Sequence, residues 1–315
     1  MPVPRNARLL VIGGTGFVGT SLAERLAARG HTVTLPTRDR EKVRQNLIPL
    51  PGVEVVNANV HDAATLATLM PGHAAVINLV GILHGSPERF RHAHVALSDK
   101  IMSAMATAGI KRYLHMSALG ADPAGPSHYQ QSKGEAETHI RASGLDWTIF
   151  RPSLIFGPGT CFVSLFADLL KLAPCLPMGG AQARMQPVWV EDVSRAFVAA
   201  LTDDALIGQS LNLVGPKVYT MAELVRLIGR AAGTPRPVLS LPDGLARLQA
   251  SLLGLLPNPP LSTDNLDSLK VDSVDPAGFP AHLGWQATAL EAILPLLLTQ
   301  GRPRDRYLQL RRQHR

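Results

Sequence analysis

The stretch Val11-Ile12-Gly13-Gly14-Thr15-Gly16-Phe17-Val18-Gly19 decides how this chain folds. It follows a short apolar run, Arg8–Ile12, and opens a segment, Thr20–Arg29, with helical spacing through Leu22, Leu26 and Ala27. Strand, glycine-rich turn and helix in that order form the fingerprint of a dinucleotide site. Glycine lets the backbone turn tightly and approach a pyrophosphate, whose charge rests against the first amides of the helix. The glycines fit two registers, Gly14-x-Gly16-x-x-Gly19 and Gly13-x-x-Gly16-x-x-Gly19. Gly13, Thr15, Gly16, Phe17, Val18 and Gly19 are the candidate cofactor contacts of this loop. Glycines also collect in ordinary turns, so the motif draws its meaning from its place between strand and helix.

The same rhythm continues along the chain. Gly30 stops the first helix, and His31–Leu35 is β-branched and apolar. Val53–Val56, Ala74–Val80, Arg112–Met116 and Trp147–Phe150 read as further strands, with helices between most of them. Near-continuous apolar strands alternating with helices require a parallel sheet covered on both faces. The expected fold class is α/β: a doubly wound, Rossmann-type parallel sheet that binds ligands beyond its strand C-termini. After Arg151-Pro152, glycines and prolines such as Gly157-Pro158-Gly159 and Gly179-Gly180 break the chain into shorter pieces. The expected division is a dinucleotide-binding domain over 1–155 and a smaller, mostly helical C-terminal lobe over 156–315. Residues 186–202 are expected to return to the main sheet, with a strand at Val188–Val190 and a helix at Asp192–Leu201 that Asp192 caps. A proline-rich segment from about Leu211 onward is expected to roof a substrate cleft.

The 315 residues are 46% apolar and 17% charged, which excludes disorder, collagen and coiled coil. Folding at this length hides roughly three quarters of the unfolded surface, so the core needs no metal or disulfide staple. Cys161 and Cys175 are too few for a disulfide framework or a structural zinc site and read as buried free thiols. No run approaches the ~20 apolar residues of a spanning helix, and Met1–Arg8 lacks a signal-peptide pattern. A cytoplasmic protein is expected, or one of an organelle interior, peripheral to the inner membrane if its tail binds there. The net charge of +7 is uneven. Arg302, Arg304, Arg306, Arg311, Arg312 and Arg315 crowd residues 302–315. Such a tail suits an acidic partner, an anionic lipid surface or nucleic acid, or is simply solvated. No aromatic platform or nucleic-acid motif accompanies it, so nucleic acid is not expected as a partner.

Which dinucleotide binds is read at the end of the second strand, where an NAD site places a carboxylate on the ribose hydroxyls. Here the strand ends Leu35-Pro36-Thr37-Arg38-Asp39-Arg40. Guanidinium matches phosphate bidentately, so Arg38 and Arg40 suit a 2′-phosphate, and NADP(H) is expected over NAD(H). Asp39 would reach a ribose only if the turn is shifted. Asn59 and Val60 follow the third strand, where a side chain and a backbone amide can hold adenine. Asn78 ends the fourth strand, and Gly81 allows backbone approach to the cofactor.

Ser117 follows the strand Arg112–Met116, and Tyr129-Gln130-Gln131-Ser132-Lys133 opens a helical segment beyond it. Residues four apart share a helix face, so the phenol of Tyr129 and the ammonium of Lys133 can point into one cleft. A neighbouring cation favours the phenolate, and Lys133 is expected to lower the Tyr129 pKa and also hold a ribose hydroxyl. Tyr129 would then exchange a proton with a substrate oxygen to which Ser117 donates a hydrogen bond. A Tyr-x-x-x-Lys pair is common by chance; its specificity comes from following the fifth strand of a dinucleotide-binding chain.

These residues together resemble an extended or atypical short-chain dehydrogenase/reductase. Met116-Ser117-Ala118-Leu119-Gly120-Ala121, Gln186-Pro187-Val188-Trp189-Val190-Glu191-Asp192-Val193 and Leu261-Ser262-Thr263-Asp264-Asn265 are the most specific segments. Over nearly the whole chain they resemble bacterial relatives of the short-chain-dehydrogenase-like accessory subunit of respiratory complex I. The resemblance implies a tightly held NADPH, mainly structural in the eukaryotic subunit, and kinship with epimerase/dehydratase-like and ubiquinone-related proteins. Through Arg151-Pro152…Phe156-Gly157-Pro158-Gly159 it also brings Pro152 into the cofactor set. The chain departs from the pattern at Asn59, where many relatives have Asp, and at Ala118, where a second hydroxyl is usual. It retains the Ser117/Tyr129/Lys133 set that the accessory subunit often loses.

Other features are weaker. His92 and His94 are two apart, a spacing that suits a strand face, and no metal site is expected. Arg151 reads either as a neighbour of the nicotinamide or as a salt-bridge residue. Leu245, Leu248, Leu252 and Leu255 have helical spacing within Leu241–Leu256; they are core, or a lid or membrane-facing helix that admits an apolar substrate. Three functions follow: an NADP(H)-dependent oxidoreductase acting on an apolar carbonyl or quinone, a non-catalytic NADPH-holding or redox-sensing module of a membrane-associated assembly, or a sugar-nucleotide epimerase or dehydratase. A roof segment poor in polar and aromatic groups speaks against the last.

Overall fold

The computed structural model describes residues 3–41, 50–254 and 261–299. The arginine-rich segment 302–315 and Leu255 of the leucine series lie outside the described residues. The chain divides into two compact units.

The first unit comprises residues 1–152, 190–213 and 280–285. Its elements run β1 (Arg8–Ile12), α1 (Phe17–Ala27), β2 (Thr32–Thr37), β3 (Val53–Asn57), α2 (Ala63–Leu69) and β4 (Ala75–Asn78). Then come α3 (Pro87–Arg91), a π-helical turn (His92–Ala96), α4 (Leu97–Ala108), β5 (Arg112–Met116), α5 (His128–Ala142) and β6 (Asp146–Pro152). After the excursion into the second unit, α6 (Val190–Thr202) and β7 (Gln209–Leu213) complete it.

Seven strands among the described residues form one sheet in the order β7-β6-β5-β4-β1-β2-β3, and every ladder is parallel. The order reverses between β1 and β4, the switch point where ligands of doubly wound sheets bind. Leu9 to Ile12 and Ala75 to Ile77 have no exposed surface, as strands covered on both faces should. On one face, Leu10, Val76, Leu97, Ile101 and Ile149 share a core. On the α1 side, Glu191 of α6 pairs with Arg25, accepts a hydrogen bond from Ser21 Oγ at 2.8 Å and so fastens α6 to α1.

Two details of connectivity differ from the sequence reading. Val188–Trp189 does not rejoin the main sheet but pairs with Ile155–Phe156 in the second unit. The seventh strand is instead Gln209–Leu213, laid along β6. Its alternating polar and apolar residues suit an edge strand with one hydrogen-bonded neighbour, a weaker signal than the apolar run 188–190. The helix after that run starts at Val190, so Asp192 lies in its first turn, where an acid complements the helix dipole.

The second unit comprises residues 153–189, 214–279 and 286–315. Helices Cys161–Leu172, Met221–Ala231 and Leu290–Thr299 supply much of its core, with Leu170, Leu224, Ile228 and Leu294 buried together. Thr220 and Glu223 close a reciprocal capping box at the start of the second of these. Cys175 is a free, half-buried thiol; the side chain of Cys161 lies outside the described residues. The leucine-rich helix, Asp243–Leu253, is turned inside out. Ala246 and Ala250 face inward, while Leu245, Leu248 and Leu252 are 56%, 57% and 61% exposed. Close packing explains the small inner residues: a Cβ on Gly179 would stand 2.5 Å from the Ala246 Cβ, so no leucine fits there.

Candidate functional site

The site lies in the first unit, along the C-terminal ends of β2, β1, β4 and β5. Between β1 and α1 the backbone folds on itself through Gly14 N–H to Val11 O and Gly16 N–H to Gly13 O, at 3.2 and 3.1 Å. Three of the four glycines have a steric reason to be there. Gly13 has φ +79°, and a Cβ on it would stand 3.0 Å from Val80 N at the end of β4. A Cβ on Gly14 would strike the Leu35 side chain at 2.5 Å, and one on Gly19 would strike the Gly14 backbone at 2.4 Å. Gly13, Gly14 and Gly19 are thus held to glycine by close approach or backbone conformation, whereas a Cβ on Gly16 would meet only Gly13 O, at 3.3 Å. Gly16 precedes α1 without a side-chain cap, and the first turn of the helix carries no acid. Unpaired amides at a positive helix end with the backbone bare of side chains form a cradle for an anion.

Arg38, Asp39 and Arg40 lie exposed just beyond β2, where the Thr37 hydroxyl accepts from Asp39 N–H at 3.3 Å. Asn59, also exposed, is used locally: its Oδ1 accepts from His61 N–H at 3.2 Å. Val60 packs against the core beneath. Asn78 is turned inward. Its Nδ2 donates to Tyr113 Oη at 3.1 Å and its Oδ1 accepts from Val80 N–H at 3.1 Å, so its side chain shapes the end of β4 from inside.

At the end of β4, Gly81 meets the chemistry of α5: a Cβ there would stand 3.5 Å from Lys133 Nζ. Lys133 is 2% exposed. Its ammonium donates to Met116 O at 2.9 Å and Val80 O at 3.3 Å, which leaves one N–H of the three for another acceptor. Burial pulls its pKa down to about 8, with Glu137 pushing the other way. Ser117, the next residue after Met116, is 3% exposed. Its Oγ makes no hydrogen bond of normal geometry, although it lies close enough to Glu137 to help hold that acid low. Pro152, buried at the end of β6, fixes the loop after β5 by accepting Leu119 N–H at 2.9 Å.

Helix α5 carries the rest. Ser127 caps it by accepting Gln130 N–H at 3.1 Å. Gly134 lets residues 122–123 lie on the helix, since its Cβ would stand 2.4 Å from Asp122 C. Tyr129 is held edge-on by Phe90 and His94, with centroids at 6.2 and 5.7 Å. The expectation that Lys133 lowers the Tyr129 pKa is not met: burial pushes that phenol up to about 12. The ammonium is directed to two backbone carbonyls instead, so the phenol keeps its proton at neutral pH and can donate it.

Sequence reasoning missed Glu137, although Tyr129, Lys133 and Glu137 continue one four-residue stripe. Its carboxylate is 2% exposed and is gripped by Arg151 through Nε at 2.8 Å and through Nη2, and by Arg141 at 2.9 Å. Burial pushes the acid up, but the bonds from Arg151 and Arg141, with the nearby Ser117 hydroxyl, outweigh it and hold it below the usual range. Arg151 is thus a salt-bridge residue. His92 and His94 occupy the π-helical turn rather than a strand, His92 stacking on His61 at 4.6 Å and His94 pointing into the site.

Residues 13–160 match the NAD(P)H-binding family. The chain is 30% identical over 291 residues to the mitochondrial NADH dehydrogenase (ubiquinone) 1 alpha subcomplex subunit 9 of Mus musculus, covering 89% of this chain and 77% of that protein. The chain belongs to this family. The Arabidopsis thaliana subunit 9 is 32% identical over 225 residues, 69% of this chain, but the match spans only 56% of that relative. Among solved structures, a UDP-glucose 4-epimerase of Thermotoga maritima superposes with a TM-score of 0.71 at 19% identity, over 92% of this chain and 97% of its own. That likeness concerns the fold. The bare, side-chain-free cradle at α1 fits the diphosphate that an NAD(P)H-binding segment must hold.

Proposed function

We propose that this subunit 9 relative holds NADPH in preference to NADH and acts as a short-chain-dehydrogenase-type oxidoreductase on an apolar carbonyl or quinone. The carrying observation is Lys133: a cation almost wholly withdrawn from water, bound to strand-end carbonyls in a row with the glycine cradle and Ser117. Burying a charge in that setting is unfavourable, and such perturbed groups concentrate where chemistry needs them. Gly13, Thr15, Gly16, Phe17, Val18 and Gly19 would hold the diphosphate, Arg38 and Arg40 a 2′-phosphate, and Asn59 and Val60 the adenine edge. Asn78, Gly81 and Pro152 shape the floor of the site through backbone and buried side-chain contacts. The nicotinamide, when bound, would supply the hydride. Lys133 directs its remaining N–H to a ribose hydroxyl, Tyr129 donates the proton its burial retains, and Ser117 Oγ would turn its hydrogen from Glu137 to the same substrate oxygen.

A second reading has its own support. Tyr129 packs against Phe90 and His94, and Lys133 is already held by two carbonyls, which suits a cofactor kept without turnover. The outward leucines 245, 248 and 252, with the arginines of 302–315, suit a peripheral position on an anionic membrane surface beside a respiratory partner. Among the described residues no helix is long and apolar enough to cross a membrane.

NADPH fluorescence and a panel of quinones and apolar carbonyls separate the readings. Exchange of the cofactor and its oxidation, abolished by Tyr129→Phe, support the enzyme. Retention without exchange, indifferent to Tyr129→Phe, supports the module.

A further inference from the structure

His94 lies where the helix from Pro87 to Ala108 widens into a single π-helical turn. Such turns often mark functional positions, because the extra residue re-aims a side chain that a regular helix would point elsewhere. Here the widening is used by one residue. His94 is 1% exposed. Its Nε2 accepts Ile82 N–H at 3.1 Å, from the loop that follows β4 beside Gly81. Its Nδ1 lies 2.8 Å from Ser132 Oγ, and Ser132 Oγ donates to Tyr129 O at 3.0 Å.

The proton directions follow from these partners. Ser132 has one hydroxyl hydrogen, given to Tyr129 O, so the Nδ1–Ser132 bond needs its hydrogen from the imidazole. The backbone N–H of Ile82 can only donate, so Nε2 is bare. His94 is therefore a neutral imidazole with the proton on Nδ1. Its environment keeps it so: burial, Lys133 and His115 together pull its pKa down to about 2.

We infer that His94 is a positioning residue, a neutral staple that ties the loop after β4 to the face of α5 carrying Tyr129 and Lys133. This rests on the proposed roles of Tyr129 and Lys133, and it adds the element that sets their register. Phe90, a turn earlier, packs against both His94 and the Tyr129 ring, with centroids at 5.8 and 6.2 Å. Besides Lys133 and His115, the nearest charged groups on its own helix are already paired: Arg91 with Glu135 at 2.6 Å and Asp99 with His139 at 2.8 Å. Among the described residues no carboxylate is hydrogen-bonded to His94, so its neutrality is not in competition with an ion pair.

The test reads Lys133 directly in the ligand-free chain. Side-chain 15N NMR follows the Lys133 ammonium and the His94 ring from pH 5 to pH 10 in wild type, His94→Ala and His94→Gln. Wild type should show a bare Nε2 and protonated Nδ1 on His94, unchanged across the range, and a Lys133 titration near 8. In His94→Ala the opened space hydrates the ammonium and moves Lys133 up by roughly half a unit or more. Glutamine has both an acceptor and a donor at similar reach and should restore most of the wild-type value. A Lys133 titration unchanged in His94→Ala, or a His94 that takes up a proton near pH 6, overturns the inference. NADPH titration of the same samples is read separately: wild type failing to bind would remove the functional reading while the NMR result still decides the role of His94.

Discussion

Gly19→Ala is the sharpest test of how the site is built. In the native packing an alanine Cβ at this position stands 2.4 to 2.5 Å from the Cα, C and O of Gly14. All three are backbone atoms and cannot rotate away. Ordinary contact begins near 3.4 Å, so the first turn of α1 and the loop must part by about 1 Å. Overpacking of this kind destabilises by about 1–3 kcal/mol. The larger consequence is functional, because the displaced turn holds the amides proposed to meet the diphosphate. NADPH affinity should fall by at least about tenfold, the equivalent of ~1.4 kcal/mol, measured by fluorescence titration beside a melting curve. Gly72→Ala is the control: it has φ +80° but nothing within 4 Å of a new Cβ. It should lose about 1 kcal/mol of stability to backbone strain and bind NADPH normally. If Gly19→Ala binds within twofold of wild type, the cradle is not where the cofactor sits.

Further outcomes follow from the same geometry. Arg38→Ala should weaken NADPH about tenfold and leave NADH nearly unchanged, since only the former carries the phosphate that a guanidinium would hold; equal losses for both would count against the assignment. NADPH affinity in wild type should decline as the pH rises through about 8, because Lys133 then loses the proton it donates. Glu137→Gln removes the charge that supports that ammonium, so the same decline should begin about half a unit lower. A decline at higher pH in this variant would refute the coupling. Replacing Leu245, Leu248 and Leu252 with serine should abolish flotation with anionic vesicles while leaving the fold intact, because none of the three is buried.

The sheet was legible because its strands advertise themselves. Arg8–Ile12 and Arg112–Met116 are found with the bounds their apolar runs indicated, and β2, β3, β4 and β6 differ only at their ends. What periodicity could not show was anything set by long-range packing. Gln209–Leu213 is a mixed edge strand whose identity depends on β6 being there. The π-helical turn at 92–96 leaves no spacing signature, so His94 looked like one of many scattered histidines. Glu137 could have been found, since it repeats the four-residue interval from Lys133, but its Arg151 partner comes from a separate element, the strand β6. The pKa of Tyr129 was misjudged for a related reason. Sequence places the phenol and ammonium on one face, but not the carbonyls of Val80 and Met116 that take hold of the ammonium.

Isothermal titration of the purified chain with NADPH and, separately, NADH tests the central claim most directly. The account predicts one site per chain, with NADPH bound at least about tenfold more tightly, as expected of added guanidinium–phosphate bonds. Absence of binding heat with both nucleotides, over a range of temperatures and with the chain shown to be folded, would contradict it.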